Sequence, residues 1–244
     1  MPLRVGTSGW AYPEWRPGFY PEKLPRGEFL GYYGRTLSAC EINATFYRLQ
    51  SDRAMGGWAA AVPDGFRFAV KAHRGITHGA VFPPDARDDG LLARFLASLP
   101  PMGTRLGTVL VQLPPHRARD DAALDRLLSV LPHDPPCALE FRHASWETPE
   151  VEERVAAAGA TVCLADREAR APERLPPGPL AYVRLRADRY DDAARKAWRD
   201  LLVREGAKRD VYAFAKHEGV PAGDPHAGVG LAEWLVEATG GAVS

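Results

Sequence analysis

The sequence predicts an α/β fold, a TIM-like (β/α)8 barrel formed by one domain over residues 1–244. Three observations lead there. Short apolar, β-branched runs alternate with stretches of helical period along the whole chain, which argues for a parallel sheet with helices outside it. The alternation repeats eight times, and at about 30 residues per unit this consumes about 240 of the 244 residues. No change of composition marks a domain border. The chain is 45% hydrophobic and 25% charged, enough apolar material to offset the entropy of ordering.

The strand candidates are Leu3–Ser8, Ala39–Asn43, Phe66–His73, Gly107–Leu113, Cys137–His143, Thr161–Asp166, Ala181–Arg186 and Asp210–Ala215. The helices between them carry start signals. Asp120 precedes Leu124, Leu127, Leu128 and Leu131, spaced to share one helical face. Thr148-Pro149 and Asp224-Pro225 pair a capping residue with a proline at the first helical position. Asp191 opens a segment with Ala194, Trp198, Leu201 and Leu202 on one face, and Asp88 opens another with Leu91, Leu92, Phe95 and Leu96. Two long Pro- and Gly-rich loops, Trp10–Gly27 and Gly75–Arg87, follow the first and third strands and belong at the C-terminal mouth.

Side chains alternate along a strand, so each strand has an outward and an inward set. Phe66, Phe68 and Val70 suit packing against helices, which turns Arg67, Ala69, Lys71 and His73 inward. The same test turns Thr108, Leu110 and Gln112 inward, then Ala138, Glu140 and Arg142, then Tyr182, Arg184 and Arg186. Glu41 and Asn43 end the second strand, Asp166 the sixth, Ser8 the first, and Lys216 or His217 follows the eighth. Polar residues therefore gather at one end of nearly every strand, the end where parallel α/β proteins carry their sites. A purely structural set of buried ion pairs is the competing explanation. The inward cations exceed the inward anions, and an uncompensated cation is costly unless an anion or water meets it.

Other chemistries find less support. No Gly-x-Gly-x-x-Gly, Walker A or Gly-x-Ser-x-Gly sequence is present. The three cysteines, Cys40, Cys137 and Cys163, are far apart in apolar runs, as small buried hydrophobes are. A metal centre is not expected where Lys71, Arg142, Arg184 and Arg186 crowd the carboxylates, and no cofactor is expected. His73 sits at a strand end where it suits a general acid or base. The segments Trp10–Tyr20 and Ala44–Arg48 are aromatic enough for ring or base recognition, or for a loop with its own small core. Lys+Arg equals Asp+Glu at 31 each, so no global field draws the chain to nucleic acid. Val5 already lies in a strand-like run and no apolar stretch reaches membrane length, so a cytoplasmic address and no membrane partner are expected.

These residues also carry a resemblance. Gly6-Thr7-Ser8-Gly9-Trp10 with Tyr12-Pro13, Glu41-Ile42-Asn43 with Thr45-Phe46-Tyr47, and Phe68-x-Val70-Lys71-Ala72 are similar to the bacterial and archaeal domain of unknown function 72 group. Ile76-Thr77-His78, Leu110–Pro115, Glu140-Phe141-Arg142-His143-x-Ser145-Trp146 and Tyr182–Leu185 extend the resemblance over nearly the whole chain. It implies a TIM-like barrel of the sugar isomerase and apurinic endonuclease type, and no settled reaction. The chain departs from the group at Arg186, where a His is usual, and at Phe214-Ala215-Lys216, where Phe-Asn-Asn is usual.

The expected function is an enzyme, a hydrolase or an isomerase, acting on a small anionic molecule such as a phosphorylated sugar or a nucleotide-like compound. Glu41, Glu140, His73 and Asp166 are the catalytic candidates. Ser8, Trp10, Tyr12, Asn43, Lys71, Gln112, Arg142, Arg184 and Arg186 are the candidates for substrate binding, the guanidinium groups being suited to phosphate. The alternatives are a nucleic-acid-binding, nuclease-like protein and a barrel that has lost catalysis and binds a partner.

Overall fold

A computed structural model describes residues 3–79, 82 and 90–240. The strands are β1 (Leu3–Ser8), β2 (Ala39–Ile42), β3 (Arg67–Lys71), β4 (Leu106–Gln112), β5 (Cys137–Glu140), β6 (Thr161–Val162), β7 (Leu164–Asp166), β8 (Leu180–Leu185) and β9 (Asp210–Ala215). They form one sheet in the order β6-β5-β4-β3-β2-β1-β9-β8-β7, with every adjacent pair parallel.

The ninth strand segment comes from a break in the predicted sixth strand. Val162 and Leu164 flank Cys163, whose amide donates to Leu139 O at 2.8 Å. Residues before the break pair only with β5, and residues after it only with β8. The two ends of the sheet are thus joined by covalent continuity through Cys163, and the sheet rolls into a nearly closed barrel.

The helical signals mostly position real starts. Asp120, Thr148 and Asp191 cap Asp121–Leu128, Pro149–Ala157 and Asp192–Gly206 by accepting from the amides of Ala123, Val151 and Ala194. Asp224-Pro225 does not start a helix: Asp224 Oδ1 accepts from His226 N, and the last helix, Gly228–Ala238, begins after Ala227. Asp88 lies outside the described residues, as do residues 80, 81 and 83–87 of the expected loop Gly75–Arg87. The helix that follows spans Leu91–Ala97 with Gly90 at its N-cap.

Alternation sorts the strands as expected. Phe66, Phe68, Val70, Val109, Val111, Leu113, Leu139, Val183 and Leu185 belong to the layer between sheet and helices. Inside the barrel a separate cluster forms from Ala39, Ala69, Leu110, Ala138, Cys163, Leu180, Tyr182, Tyr212 and Phe214. The small residues on β2, β3 and β5 leave room for the rings on β8 and β9, so the bore is filled by size complementarity. The loop after β1 folds down as its own core. Trp15, Phe19 and Tyr20 are buried against Phe29 and Tyr33 of the helix Phe29–Thr36, with Tyr20 stacked on Phe29 at 4.0 Å between ring centres. That packing takes most of the loop's aromatic surface out of reach of any ligand.

Candidate active site

Above the apolar cluster, the C-terminal ends of β2, β5 and β8 each contribute one ionised side chain. Glu41, Glu140 and Arg184 are buried, at 0%, 1% and 6% exposure. The Arg184 guanidinium reaches both carboxylates: Nη1 donates to Glu140 Oε2 at 2.6 Å and Nη2 to Glu41 Oε1 at 2.9 Å. Tyr182, two residues earlier on the same face of β8, donates its hydroxyl to Glu41 Oε2 at 2.7 Å. Gln112 stands opposite Glu140 in the β4–β5 register and donates Nε2 to Glu140 Oε2 at 2.7 Å. Burial raises the Glu41 pKa, but Arg184, Lys71 and the hydroxyls of Tyr182 and Ser8 outweigh it and hold the carboxyl below its ordinary value. Burial likewise opposes the charge on Arg184, and Glu41 and Glu140 overcome it.

Over this triad opens a cavity of about 480 Å³. Its floor includes Lys71, Gln112 and Arg184, and its walls include Asn43, Phe46, Arg142 and Arg186. Lys71 ends β3 at 7% exposure, and its ammonium has no hydrogen bond or ion pair among the described residues. That ammonium lies 3.9 Å from the centre of the Phe46 ring. The cation–π contact stands where a carboxylate partner would otherwise be. Burial lowers the Lys71 pKa to about 8, with Arg184 and Arg142 adding to the shift against the pull of Glu41 and Glu140. Arg142 is more than a third exposed, with Nε 3.8 Å from Glu140 Oε1. Arg186 Nη2 is shared between the two oxygens of Glu218 at 3.3 Å, while its buried Nη1 has no partner among the described residues. The buried Asn43 Oδ1 is also without a hydrogen-bond partner there.

The site therefore combines a closely paired triad with a ring of polar groups that retain unused capacity. Among the described residues no cluster of three or more His, Cys, Asp and Glu side chains is placed to hold a metal ion. No helix among them is long and apolar enough to cross a membrane.

The barrel matches the family model described as "Protein of unknown function DUF72" over residues 4–239. The chain belongs to this family. A curated relative, the UPF0759 protein YunF of Bacillus subtilis (strain 168), is 31% identical over 158 residues, 62% of this chain. That match spans 55% of the length of YunF. Among solved structures, a DUF72 family protein from Thermotoga maritima MSB8 is similar with a TM-score of 0.76 and 23% identity, over 96% of this chain and 97% of the other. One from Enterococcus faecalis V583 is similar with a TM-score of 0.73 and 17% identity, over 98% and 95%. At these identities the two structures share the DUF72 fold.

Of the residues singled out from sequence, the DUF72 cavity and its floor bring together Tyr12, Asn43, Lys71, Gln112, Arg142, Arg184 and Arg186, with Glu41 and Glu140 beneath. Ser8 stands beside Glu41 in the β1–β2 register. Three residues sit elsewhere. His73 lies two residues beyond β3, where the chain has already turned; Nδ1 accepts from Gly75 N at 3.0 Å and Nε2 lies 3.2 Å from Tyr47 O. It caps the short helix Arg74–Thr77 and does not line the cavity. Asp166 accepts from Trp198 Nε1 at 3.0 Å and from Glu168 N at 3.0 Å, fixing the loop after β7 to the helix behind it. Trp10 packs edge-on against Trp58 at 5.4 Å and against Phe68, outside the barrel.

Conversely, Phe46, Tyr47, His78, His217 and Glu218 line the cavity without having been singled out as site residues. Phe46 and Tyr47 lie in the aromatic segment after the second strand, and His217 lies just beyond the last strand. Tyr12 stacks on His217 at 4.2 Å between ring centres, a contact between chain ends that no local pattern shows.

Proposed function

We propose that this protein is an enzyme that binds a small anionic organic molecule in the mouth of the barrel. The observation that carries this reading is the division of labour among the cations. Both terminal nitrogens of Arg184 are taken by carboxylates, whereas among the described residues Lys71 has no carboxylate partner and Arg142 has only a long contact, and both line an open cavity. A buried cation without an anionic partner carries a desolvation cost, and a ligand carboxylate or phosphate would offset it.

The roles follow from position. Arg142 and Arg186 supply guanidinium donors at the wall, with Arg186 Nη1 available to donate to a new partner. Asn43 Oδ1 is an acceptor for a ligand hydroxyl. Glu41, Arg184 and Tyr182 form a rigid backing that keeps the floor in place, and Glu140 offers the reactive carboxylate, since its Oε1 accepts no hydrogen bond among the described residues. Two of the catalytic candidates from the sequence, His73 and Asp166, have no part in this scheme because each is engaged outside the cavity.

Calorimetric titration of the full chain with inorganic phosphate and with a panel of phosphorylated sugars and carboxylates tests the reading. Saturable binding that weakens about tenfold or more in Arg142→Gln is expected, since a charge-assisted hydrogen bond is worth about 1.5–3 kcal/mol. Equal binding by wild type and Arg142→Gln, or no binding by any anion, overturns it.

A further inference from the structure

We propose that Lys71 Nζ is a reactive amine that condenses with the carbonyl carbon of a small anionic aldehyde or ketone held in the barrel mouth. The proposal rests on the anion-binding reading above and names the substrate class.

A lysine that only holds an anion is best kept protonated, and a barrel achieves that with a carboxylate at hydrogen-bond distance. Here both neighbouring carboxylates have been drawn to Arg184 instead. Glu41 has each oxygen occupied, one by Arg184 and one by Tyr182. Glu140 commits Oε2 to Gln112 and Arg184 together. Lys71 is left against the face of Phe46, with Arg184 and Arg142 repelling its charge and Glu41 and Glu140 attracting it only through space. Of the two histidine rings that line the cavity, His78 is held below its ordinary pKa by burial and then by Lys71, and neither it nor His217 can supply an anion.

This environment suits a nucleophile. With a pKa of about 8, about half of Lys71 is neutral at pH 8, whereas less than about one in a hundred of an ordinary lysine with a pKa near 10.4 is neutral there. The side chain lines the cavity, and its Nζ rests 3.9 Å from the centre of the Phe46 ring, which places the amine where a bound carbonyl could reach it.

The chemistry balances without any further reagent. The Nζ lone pair attacks the carbonyl carbon, the C–N bond forms, and the carbonyl π electrons move to oxygen, which takes up a proton. The carbinolamine then loses that oxygen as water while Nζ gives up its protons, and an imine results. Glu140 Oε1, the carboxylate oxygen that accepts no hydrogen bond among the described residues, relays each proton from Nζ to the substrate oxygen, so both amine protons leave in the water and the carboxylate is regenerated. Arg142 and Arg186 hold the anionic group of the substrate, which orients the carbonyl over the amine.

The test is reductive trapping. The full chain is incubated at pH 8 with pyruvate, and separately with dihydroxyacetone phosphate, in the presence of sodium cyanoborohydride; adducts are counted by intact mass and located by peptide mapping. Phosphate binding is measured by calorimetry on the same preparation. The chain has five lysines, so site preference is directly readable. The expected result is a single secondary amine at Lys71, at least tenfold preferred over Lys23, Lys196, Lys208 and Lys216, suppressed by inorganic phosphate and lost in Lys71→Arg. Because the wild-type map alone locates the adduct, the outcome does not depend on how the variant folds. Modification spread evenly over the lysines, or none at Lys71 while phosphate or dihydroxyacetone phosphate binds, overturns the amine proposal and leaves the anion site standing. Neither binding nor an adduct overturns both.

Discussion

The two tiers of the barrel mouth use the same residue types to opposite ends. In the lower tier Glu41, Arg184 and Glu140 are buried and joined at 2.6–2.9 Å, with Tyr182 donating to Glu41 and Gln112 to Glu140. In the upper tier Lys71, Arg142 and Arg186 have no such closure among the described residues. The difference teaches that a charge in a cleft is not by itself a functional group. What matters is whether its charge is already met by carboxylates at hydrogen-bond distance, which among the described residues holds for Arg184 and not for Lys71.

The largest effect should come from opening the lower tier. Arg184→Met strands two buried carboxylates and is expected to cost about 3–5 kcal/mol in urea unfolding at pH 7. Neutralising them as well, in Glu41→Gln/Glu140→Gln/Arg184→Met, should recover most of that loss; no recovery would mean the tier does not act as a unit. The triad should also set the acid limb. Burial works against the Glu41 carboxylate, yet its partners hold its pKa below the ordinary value, so the folded chain binds fewer protons than the unfolded one. Its contribution is complete above the unfolded value near about 4.3 and is lost as pH falls toward the folded one.

The upper tier should respond with the opposite sign. Lys71→Met removes a cation that burial disfavours and is expected to stabilise the chain at pH 7 by about 1–3 kcal/mol in thermal or urea unfolding. Because the folded pKa lies at about 8, the unfolded chain binds more protons from there up to about 10.4. The wild-type stability therefore gains on that of Lys71→Met across this window, and parallel pH profiles would erase the distinction between the tiers.

The smallest stability effect belongs to the rim. Arg186→Gln breaks a 3.3 Å pair with the half-exposed Glu218 and should change stability by less than about 1 kcal/mol. Phosphate affinity, read by calorimetry, should nevertheless fall about tenfold, since the unpartnered Nη1 goes with it. A large loss of stability with no loss of affinity would place Arg186 in the lower tier.

The fold was legible because its signals are local. Leu3–Ser8 and Asp210–Ala215 end where hydrophobic alternation ends, and the inward assignment of Ala69, Leu110, Ala138 and Tyr182 follows from period two. The site was legible only as a set. Alternation says that Glu41 and Arg184 both point inward, but they are 143 residues apart, and nothing local says that one guanidinium serves both carboxylates. It also fails once a strand stops. His73 inherits the inward parity of Lys71 on paper, yet the chain turns at Ala72 and the ring caps a helix. Asp166 keeps its strand position, but its partner Trp198 comes from a helix behind the sheet, 32 residues on.

The interrupted sixth strand gives the triad a mechanical meaning. Of all the links around the ring, this is the one with least backbone stitching: two residue pairs on one side and three on the other, with Cys163 between. A hoop under thermal load parts at such a joint first. Arg184 stands on β8 and Glu140 on β5, the two strands that flank the joint, and their 2.6 Å contact passes across it on the inside. The second arm of the guanidinium runs over the bore to β2. The buried charges thus act as a tie-rod, bracing the hoop from within at its weakest joint while the groups above them stay free to work.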